Sequence, residues 1–327
     1  MCVSQIIFYI RQKNVPVKNA FLIILLTFST IVSATDYYVS SSGNDTNNGL
    51  SSSSPWKTIA KVNSAFSTLK PGDRVLFNRG NTFYGTLKIT KSGSAASPII
   101  IGSYGTGEKP IITGFTAISA WTDEGNGIYS KAIGCESSTE MVTVNGTQYG
   151  MGRYPNAGKW LTVDSHSGDV SITDADLNAS VINWTNAEIV QRKPNLFTIN
   201  RNKITNHTNQ TLIYNGNGDK PPSDKYGYFI QNDIKTLDSF GEWYYNTGTS
   251  TFYMYFGTSN PTDYVVQISS ITDLVIFTSG ANYITFDNFS FKGANHNAVY
   301  LTSNNYITLQ NCNIDFSGNN GIRGYVG

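Results

Sequence analysis

Charged residues are scarce in this sequence, since Asp, Glu, Lys and Arg make up 14% of its 327 residues, against about 25% in a typical globular domain. The formal net charge is +1, and no basic stripe is present that would neutralise phosphates. A nucleic-acid partner is therefore not expected. The strong helix formers are also thin, whereas 20 Tyr, 17 Phe and abundant Asn and Thr favour strands and turns.

Cysteine is rare, with three residues in total. Cys2 falls in an N-terminal targeting segment, which leaves Cys135 and Cys312, and two distant cysteines do not make a disulfide framework. The stretch SSSGNDTNNG (40–49) looks like a calcium loop but lacks the acidic spacing and the final Glu of an EF-hand. We expect a turn-rich cap there, and no metal site is predicted.

Long hydrophobic runs are missing beyond the N-terminus. The run FLIILLTFSTIV (21–32) follows several basic residues, and small residues offer a cleavage site after Ala34. This run is short for a bilayer span, which needs about 20 residues, although an uncleaved anchor is the alternative. We interpret residues 1–34 as an export signal, and we expect a monomer that is secreted or held at a bacterial cell surface, with no membrane contact after cleavage.

A repeat occupies the C-terminal part, where NYITFDNFSFKGANHNAVYLTSN (282–304) and NYITLQNCNIDFSGNNGIRGYVG (305–327) align at a spacing of 23 residues. Apolar residues recur in alternating pairs, which predicts three short strands per repeat, each with one buried face. The matched apolar pairs are Ile284 and Ile307, Phe286 and Leu309, Phe289 and Cys312, Phe291 and Ile314, and Val299 and Ile322.

Strands this short at so fixed a period can coil, with each strand pairing in parallel about 4.8 Å from the same strand one turn later. The predicted fold is therefore all-β, a right-handed parallel β-helix with three short strands per coil. Asn288 and Asn311 lie at matching corners, where Asn tolerates the left-handed backbone, and we expect their amides to bond in a ladder. Cys312 is expected to face the core.

The stretch 37–114 contains YYVSSSGND, PWKTIAKV, LKPGDRVLF, PIIIGSYG and PIITG, and with these elements it resembles the opening of secreted β-helix proteins of the pectate lyase-like superfamily. Independently of that resemblance, residues 55–69 predict an amphipathic helix that would cap the open end of the solenoid. Its apolar stripe consists of Ile59, Val62, Ala65, Phe66 and Leu69. A first strand is predicted at residues 74–77.

Residues 121–265 lose the repeat. The motif LDSFGEWYYN followed by TFYMYF resembles a segment inserted in the branch that includes secreted glycoside hydrolases and relatives of alginate lyase and chondroitinase B. The same residues predict a hairpin, and Asn145-Gly146 predicts a second tight turn. We interpret the segment as an inserted antiparallel β subdomain, in which Arg153 and Glu242 have structural roles.

The predicted organisation is a signal (1–34), an N-terminal cap with the first coils (35–120), the inserted subdomain (121–265) and further coils (266–327). The resemblance implies many more coils, whereas this sequence stops at GIRGYVG without a polar cap. The sequence is therefore expected to be an N-terminal fragment of a longer protein, with the catalytic coils downstream.

The resemblance also implies an enzyme that acts on a polysaccharide in a groove along one parallel sheet. A hydrolase needs two carboxylates about 5–9.5 Å apart, and a lyase needs a base, with Ca²⁺ or another cation holding the uronate. Neither set is visible at the repeat spacing, because Asp287 stacks over Gln310 and Asp315 stacks over Lys292. The alternative is a non-catalytic carbohydrate-binding or adhesive surface protein.

Three residues are candidates for the site. Tyr300 points outward, with Ile276 one coil earlier and Arg323 one coil later, so Tyr300 and Arg323 form a candidate pair for a sugar face and an acidic group. His296 precedes the same strand and is a base or a surface bystander. His296 and Arg323 are thus the candidate catalytic residues, and Tyr300 and Arg323 the candidate substrate-binding residues.

The circular dichroism of soluble mature protein tests the fold prediction. We expect a strand-dominated spectrum with little helix, because alternation of apolar residues dominates the sequence. A helix content above about a fifth, well over the share that one capping helix supplies, would contradict the all-β solenoid.

Overall fold

The structure is a computed structural model that describes residues 34–193, 198–216 and 221–325. Apart from Ala34, the predicted export signal lies outside these described residues. The chain is 44% strand and 5% helix, which confirms the all-β prediction. Within the described residues, no helix is long and apolar enough to cross a membrane.

The N-terminal part contains one α-helix and six strands, namely β1 (Asp36–Val39), α1 (Ile59–Phe66), β2 (Arg74–Asn78), β3 (Thr82–Tyr84), β4 (Leu87–Ile89), β5 (Ile99–Tyr104) and β6 (Ile111–Thr113). The helix is present but shorter than the predicted span 55–69. Trp56 forms a parallel bridge with Val39, and its N–H donates to the Tyr38 carbonyl at 2.8 Å, so the chain is still extended there. The Asp45 carboxylate accepts the backbone N–H groups of Lys57 at 2.7 Å and Thr58 at 3.0 Å. Thr58 then caps α1 by accepting from the Lys61 N–H at 3.1 Å.

The middle part contains sixteen strands and two 3₁₀ turns, Ile234–Thr236 and Pro261–Asp263. The first eight strands are β7 (Phe115–Ala117), β8 (Thr122–Gly125), β9 (Ile128–Ala132), β10 (Val142–Val144), β11 (Thr147–Tyr149), β12 (Arg153–Tyr154), β13 (Leu161–Thr162) and β14 (Ser165–Ser167). The other eight are β15 (Ser171–Thr173), β16 (Glu188–Arg192), β17 (Ile199–Thr208), β18 (Thr211–Tyr214), β19 (Gly227–Gln231), β20 (Trp243–Asn246), β21 (Thr251–Tyr255) and β22 (Val266–Ser269).

The last part contains seven strands, which are β23 (Asp273–Phe277), β24 (Ile284–Asp287), β25 (Ser290–Ala294), β26 (Asn297–Thr302), β27 (Ile307–Gln310), β28 (Asn313–Ser317) and β29 (Asn320–Tyr325). Together with the N-terminal strands they form three parallel sheets. Sheet A has the order β1-β2-β5-β24-β27, sheet B the order β3-β6-β25-β28 and sheet C the order β4-β23-β26-β29.

The parallel register is the one that the sequence alignment predicts. Ile284 is level with Ile307 and Phe286 with Leu309 in sheet A, and sheets B and C pair their strands at the same spacing. The apolar residues of the three sheets converge on one buried core with α1, in which Phe286, Phe289 and Phe291 pack ring to ring. Cys312 packs against this core, as predicted.

The middle strands pair antiparallel. Sheet D has the order β11-β10-β22-β7 and sheet E the order β20-β21-β9-β8, while a larger sheet F is built on β16 to β19. The predicted hairpin is confirmed in β20 and β21, and Asn145-Gly146 forms the predicted turn, with φ values of 50° and 78°. Sheets D and E share one apolar core, and sheet F has another. The predicted domain boundaries stay a prediction.

The predicted asparagine corners are confirmed, but the amide ladder is wrong. Asn288 has φ 66° and Asn311 has φ 53°, in the left-handed region. Asn288 Nδ2 donates to Ser103 Oγ at 2.7 Å, and Asn311 Nδ2 donates to Asp287 Oδ1 at 2.9 Å. Each amide donates to the preceding strand as expected, but the acceptor there is a hydroxyl or a carboxylate oxygen and not the amide oxygen of another asparagine.

A polar joint attaches the middle part to the parallel sheets. Asn295 is buried, and its Oδ1 accepts from the Glu140 N–H at 2.6 Å and from Ser269 Oγ at 2.7 Å. Beside it, Ser270 Oγ donates to the Gly114 carbonyl at 3.0 Å and lies 2.9 Å from the Tyr84 hydroxyl. Buried polar groups with several partners are directional, so this joint fixes how sheet D sits against sheet B.

Close approach at Gly293 yields a stability prediction. Its φ is +75°, and a Cβ added there would lie 2.4 Å from the Phe115 ring. We expect Gly293→Ala to lower the free energy of unfolding by about 2–4 kcal/mol, from left-handed strain and overpacking. Urea denaturation measures this change. Gly134→Ala is the matched control, because nothing lies within 4 Å of its added Cβ; an equal loss in both variants would contradict the prediction.

Candidate functional site

The predicted outward pair lies on sheet C. Val299 is buried in the core, so the next residue, Tyr300, projects from the opposite face of β26. Tyr300 is level with Arg323 on β29 and with Ile276 on β23, as predicted from the sequence. The structure therefore brings the two candidate substrate-binding residues together.

Sequence reasoning missed a third member of this face, Tyr325. The Arg323 guanidinium lies 4.8 Å from the centroid of the Tyr325 ring and donates from Nη2 to its hydroxyl. The rings of Tyr300 and Tyr325 are 6.2 Å apart, edge to face. Tyr325 follows Arg323 by two residues, so the strand period alone could have placed it on the same face. We call Tyr300, Arg323 and Tyr325 the sheet C face.

The other catalytic candidate, His296, is not part of that face. It lies at the corner before β26, where its N–H donates to the Thr272 carbonyl at 2.7 Å and its carbonyl accepts from two later N–H groups. His296 lies four positions before Tyr300 in the sequence, a distance of roughly 13 Å along an extended chain. Among the described residues, no hydrogen bond or ion pair joins His296 to Arg323. Their catalytic roles stay predictions.

Two carboxylates of these sheets, those of Asp287 and Asp273, accept structural hydrogen bonds. Asp287 is level with Gln310, and Asp315 with Lys292, as predicted. Asp287 accepts from an asparagine amide, and Asp273 Oδ1 accepts from the backbone and side chain of Asn297 at 3.0 and 2.7 Å. In the part of the chain that the structure describes, no cluster of three or more His, Cys, Asp or Glu could hold a metal ion. The sheet C face itself presents two tyrosines and an arginine, without a matched acid and base.

Arg153 and Glu242 have the structural roles that we predicted. Arg153 Nε donates to the Pro155 carbonyl at 3.0 Å, and the guanidinium lies 3.7 Å from the centroid of the Phe229 ring. Glu242 Oε2 accepts the N–H groups of Asp238 and Ser239, both at 3.0 Å, which holds the turn before β20. Burial raises the pKa of Glu242, although these two hydrogen bonds oppose the shift.

Comparisons with known proteins show a similarity of fold and a local similarity of sequence. No protein-family model matches the sequence. The chain has a fold similar to that of a solved protein named glycoside hydrolase, with a TM-score of 0.68 at 15% identity, over 85% of this chain and 61% of that one. At that identity the similarity establishes a common fold and no activity.

The sequence comparison gives a higher identity than the fold comparison, but over a short segment of the chain. The chain is 46% identical over 92 residues to a lacto-N-biosidase of Bifidobacterium longum subsp. longum, which is 26% of this chain and 6% of the relative. The chain therefore spans a small part of that protein's length.

Titration of Glu242 gives a testable pH dependence. Because its folded pKa is raised, the folded protein holds more protons than the unfolded chain between the two pKa values, and stability falls as pH rises through that window. Glu242→Gln keeps an acceptor oxygen and removes the titration. We expect the wild type to lose stability relative to this variant as pH rises from about 4, near the unfolded pKa, in urea unfolding followed between pH 4 and 7.

If the wild type instead gained stability over Glu242→Gln with rising pH, the hydrogen bonds would outweigh burial at this site and the stated cause would be wrong.

Proposed function

We propose that this chain forms the scaffold and part of the sugar-binding face of a secreted glycoside hydrolase, built on a right-handed parallel β-helix. The observation that carries the proposal is the 46% identity over 92 residues to a lacto-N-biosidase. The fold shared with a glycoside hydrolase supports it, as does the run of apolar residues at 21–32 for export.

The β-helix proposal rests on strand succession. Along the chain, β24, β25 and β26 enter sheets A, B and C in turn, and β27, β28 and β29 enter them again in the same order. Each strand pairs in parallel with its counterpart, as successive turns of one coil would. The buried face of α1 joins the same core, as a cap over the first turn would. These features agree with the resemblance to the pectate lyase-like superfamily.

The sheet C face supports binding of a polysaccharide. Tyr300 and Tyr325 offer aromatic surface for the C–H face of a sugar ring, and Arg323 offers several N–H donors in a fixed fork. Its stacking on Tyr325 orients the guanidinium in advance, which lowers the entropy cost of binding. Three side chains give weak affinity at most, and hydrolysis needs two carboxylates in addition. We propose that these come from residues beyond the sheet C face.

The names of the similar proteins favour hydrolysis over elimination. A Ca²⁺ ion would be needed as a cofactor only in the lyase alternative, where it holds the uronate. The test is an assay of the whole chain on neutral and uronate-containing glycans, with binding measured beside turnover. We expect weak binding, reduced roughly five- to tenfold by Tyr300→Ala or Arg323→Ala, about 1 kcal/mol each. Lys91→Ala, which removes an exposed cation elsewhere, should bind like the wild type.

Each product identifies one alternative. New reducing ends without unsaturation indicate a hydrolase, and 4,5-unsaturated ends indicate a lyase and would contradict this proposal. Binding without turnover, even in a longer form of the protein, would favour the non-catalytic adhesive alternative. Turnover by this chain that is lost in Arg323→Ala or His296→Ala would contradict the placement of the catalytic groups outside the sheet C face.

A further inference from the structure

A cleft of about 390 Å³ lies between the outer face of sheet B and sheet D. Its size falls within the ~300–1,000 Å³ range of small-ligand sites. The lining combines hydroxyl, amide, ammonium and aromatic groups; its polar and aromatic members are Thr82, Thr113, Thr143, Gln267, Lys292, Phe115 and Phe316. We call it the B–D cleft. It is distinct from the sheet C face.

The sheet D wall carries a buried hydroxyl with no partner. Thr143 on β10 is level with Gln267 on β22, which is level in turn with Ala117 on β7. The neighbouring Val142 and Val144 belong to the core behind sheet D, so Thr143 projects from the opposite face, into the cleft. Thr143 is 1% exposed, and among the described residues its Oγ1 has no hydrogen-bond partner.

Such a group needs an explanation, because burying a hydroxyl without a hydrogen bond costs free energy. Thr113 does not supply the bond, since its own Oγ1 donates to the Lys292 carbonyl and accepts the Phe115 N–H, both at 3.0 Å. The Thr143 hydroxyl therefore remains an unused donor in the wall of the cleft.

The sheet B wall supplies a charge. Lys292 is half-buried and lines the cleft. It is level with Asp315 on β28, yet within the described ranges no ion pair engages its ammonium. A lysine ammonium is a compact point charge with three donors, so in this cleft it favours an anionic group. The rings of Phe115 and Phe316, 5.8 Å apart, add apolar surface.

We propose that the B–D cleft binds one acidic sugar unit. The sugar carboxylate accepts from the Lys292 ammonium, and its hydroxyl groups bond to Thr143 Oγ1 and to the Gln267 amide. The ring packs its C–H face towards Phe115 and Phe316. The choice of a sugar as the ligand rests on the proposed function, whereas the binding step concerns a different sheet and needs no hydrolysis, so that loss of turnover would leave it standing.

The experiment is isothermal titration calorimetry of the whole chain with trigalacturonate and with its carboxyl-reduced counterpart, at low and at physiological salt. We expect trigalacturonate to bind at least tenfold more tightly, with the preference weakening as salt rises. Lys292→Met keeps the aliphatic stem and should abolish the preference. Lys91→Met, at an exposed lysine elsewhere, should leave it intact. Galacturonic acid itself should show the same preference over galactose if one unit is recognised.

Thr143→Val provides a second readout that a structural role would not give. Valine has the same shape and lacks the hydroxyl, so the melting temperature should stay the same or rise, while affinity for both trisaccharides should fall about three- to tenfold. A lower melting temperature would mean that the hydroxyl has a structural partner, and the inference would fail. It would also be wrong if both trisaccharides bound equally or not at all, or if Arg323→Ala rather than Lys292→Met removed the preference.

Discussion

The whole structure depends on keeping the parallel register across a long excursion of the chain. Strands β6 and β25 are neighbours in sheet B, although Thr113 and Lys292, which bond across them, are 179 residues apart. Because side chains alternate between the faces of a strand, a slip of one residue would turn every core residue of β25 to solvent. The inserted strands must therefore leave and return with fixed geometry, and that requirement determines which groups meet near the junction.

The polar joint at Asn295 meets that requirement. Asn295 follows β25 of the parallel sheets, and the partners of its amide belong to the middle part: Oδ1 accepts from Glu140 and Ser269, and Nδ2 donates to the Ser138 carbonyl at 2.8 Å. A buried amide with all of these bonds permits one orientation, because any shift leaves a desolvated group unpaired. Gly293 allows Phe115 to approach at the same place. The B–D cleft is thus a consequence of how the insertion is attached.

The sequence predicted the structure correctly where the same contacts recur from one 23-residue repeat to the next. The level pairs Ile284 and Ile307, and the left-handed corners at Asn288 and Asn311, follow from a pattern that one repeat displays to the next. It overextended α1, because Trp56 pairs with Val39 of another segment and keeps the chain extended up to the cap at Thr58. Nothing in the order of residues could have placed Thr143 and Lys292 in one cleft, since their proximity depends on the attachment of a separate sheet.

The insertion also divides the outer surface into two kinds of site. Sheet D covers sheet B, so Thr143 is 1% exposed, whereas Tyr325 on sheet C is 49% exposed. A covered cleft with one free ammonium suits a single unit recognised by charge and hydroxyl geometry, because desolvation strengthens both. An open face with two aromatic rings edge to face suits successive units of a longer chain, since aromatic contacts tolerate variation in the sugar. Under the two proposals the faces would contact different parts of one glycan, and the affinity of each could be changed without disturbing the register on which both depend.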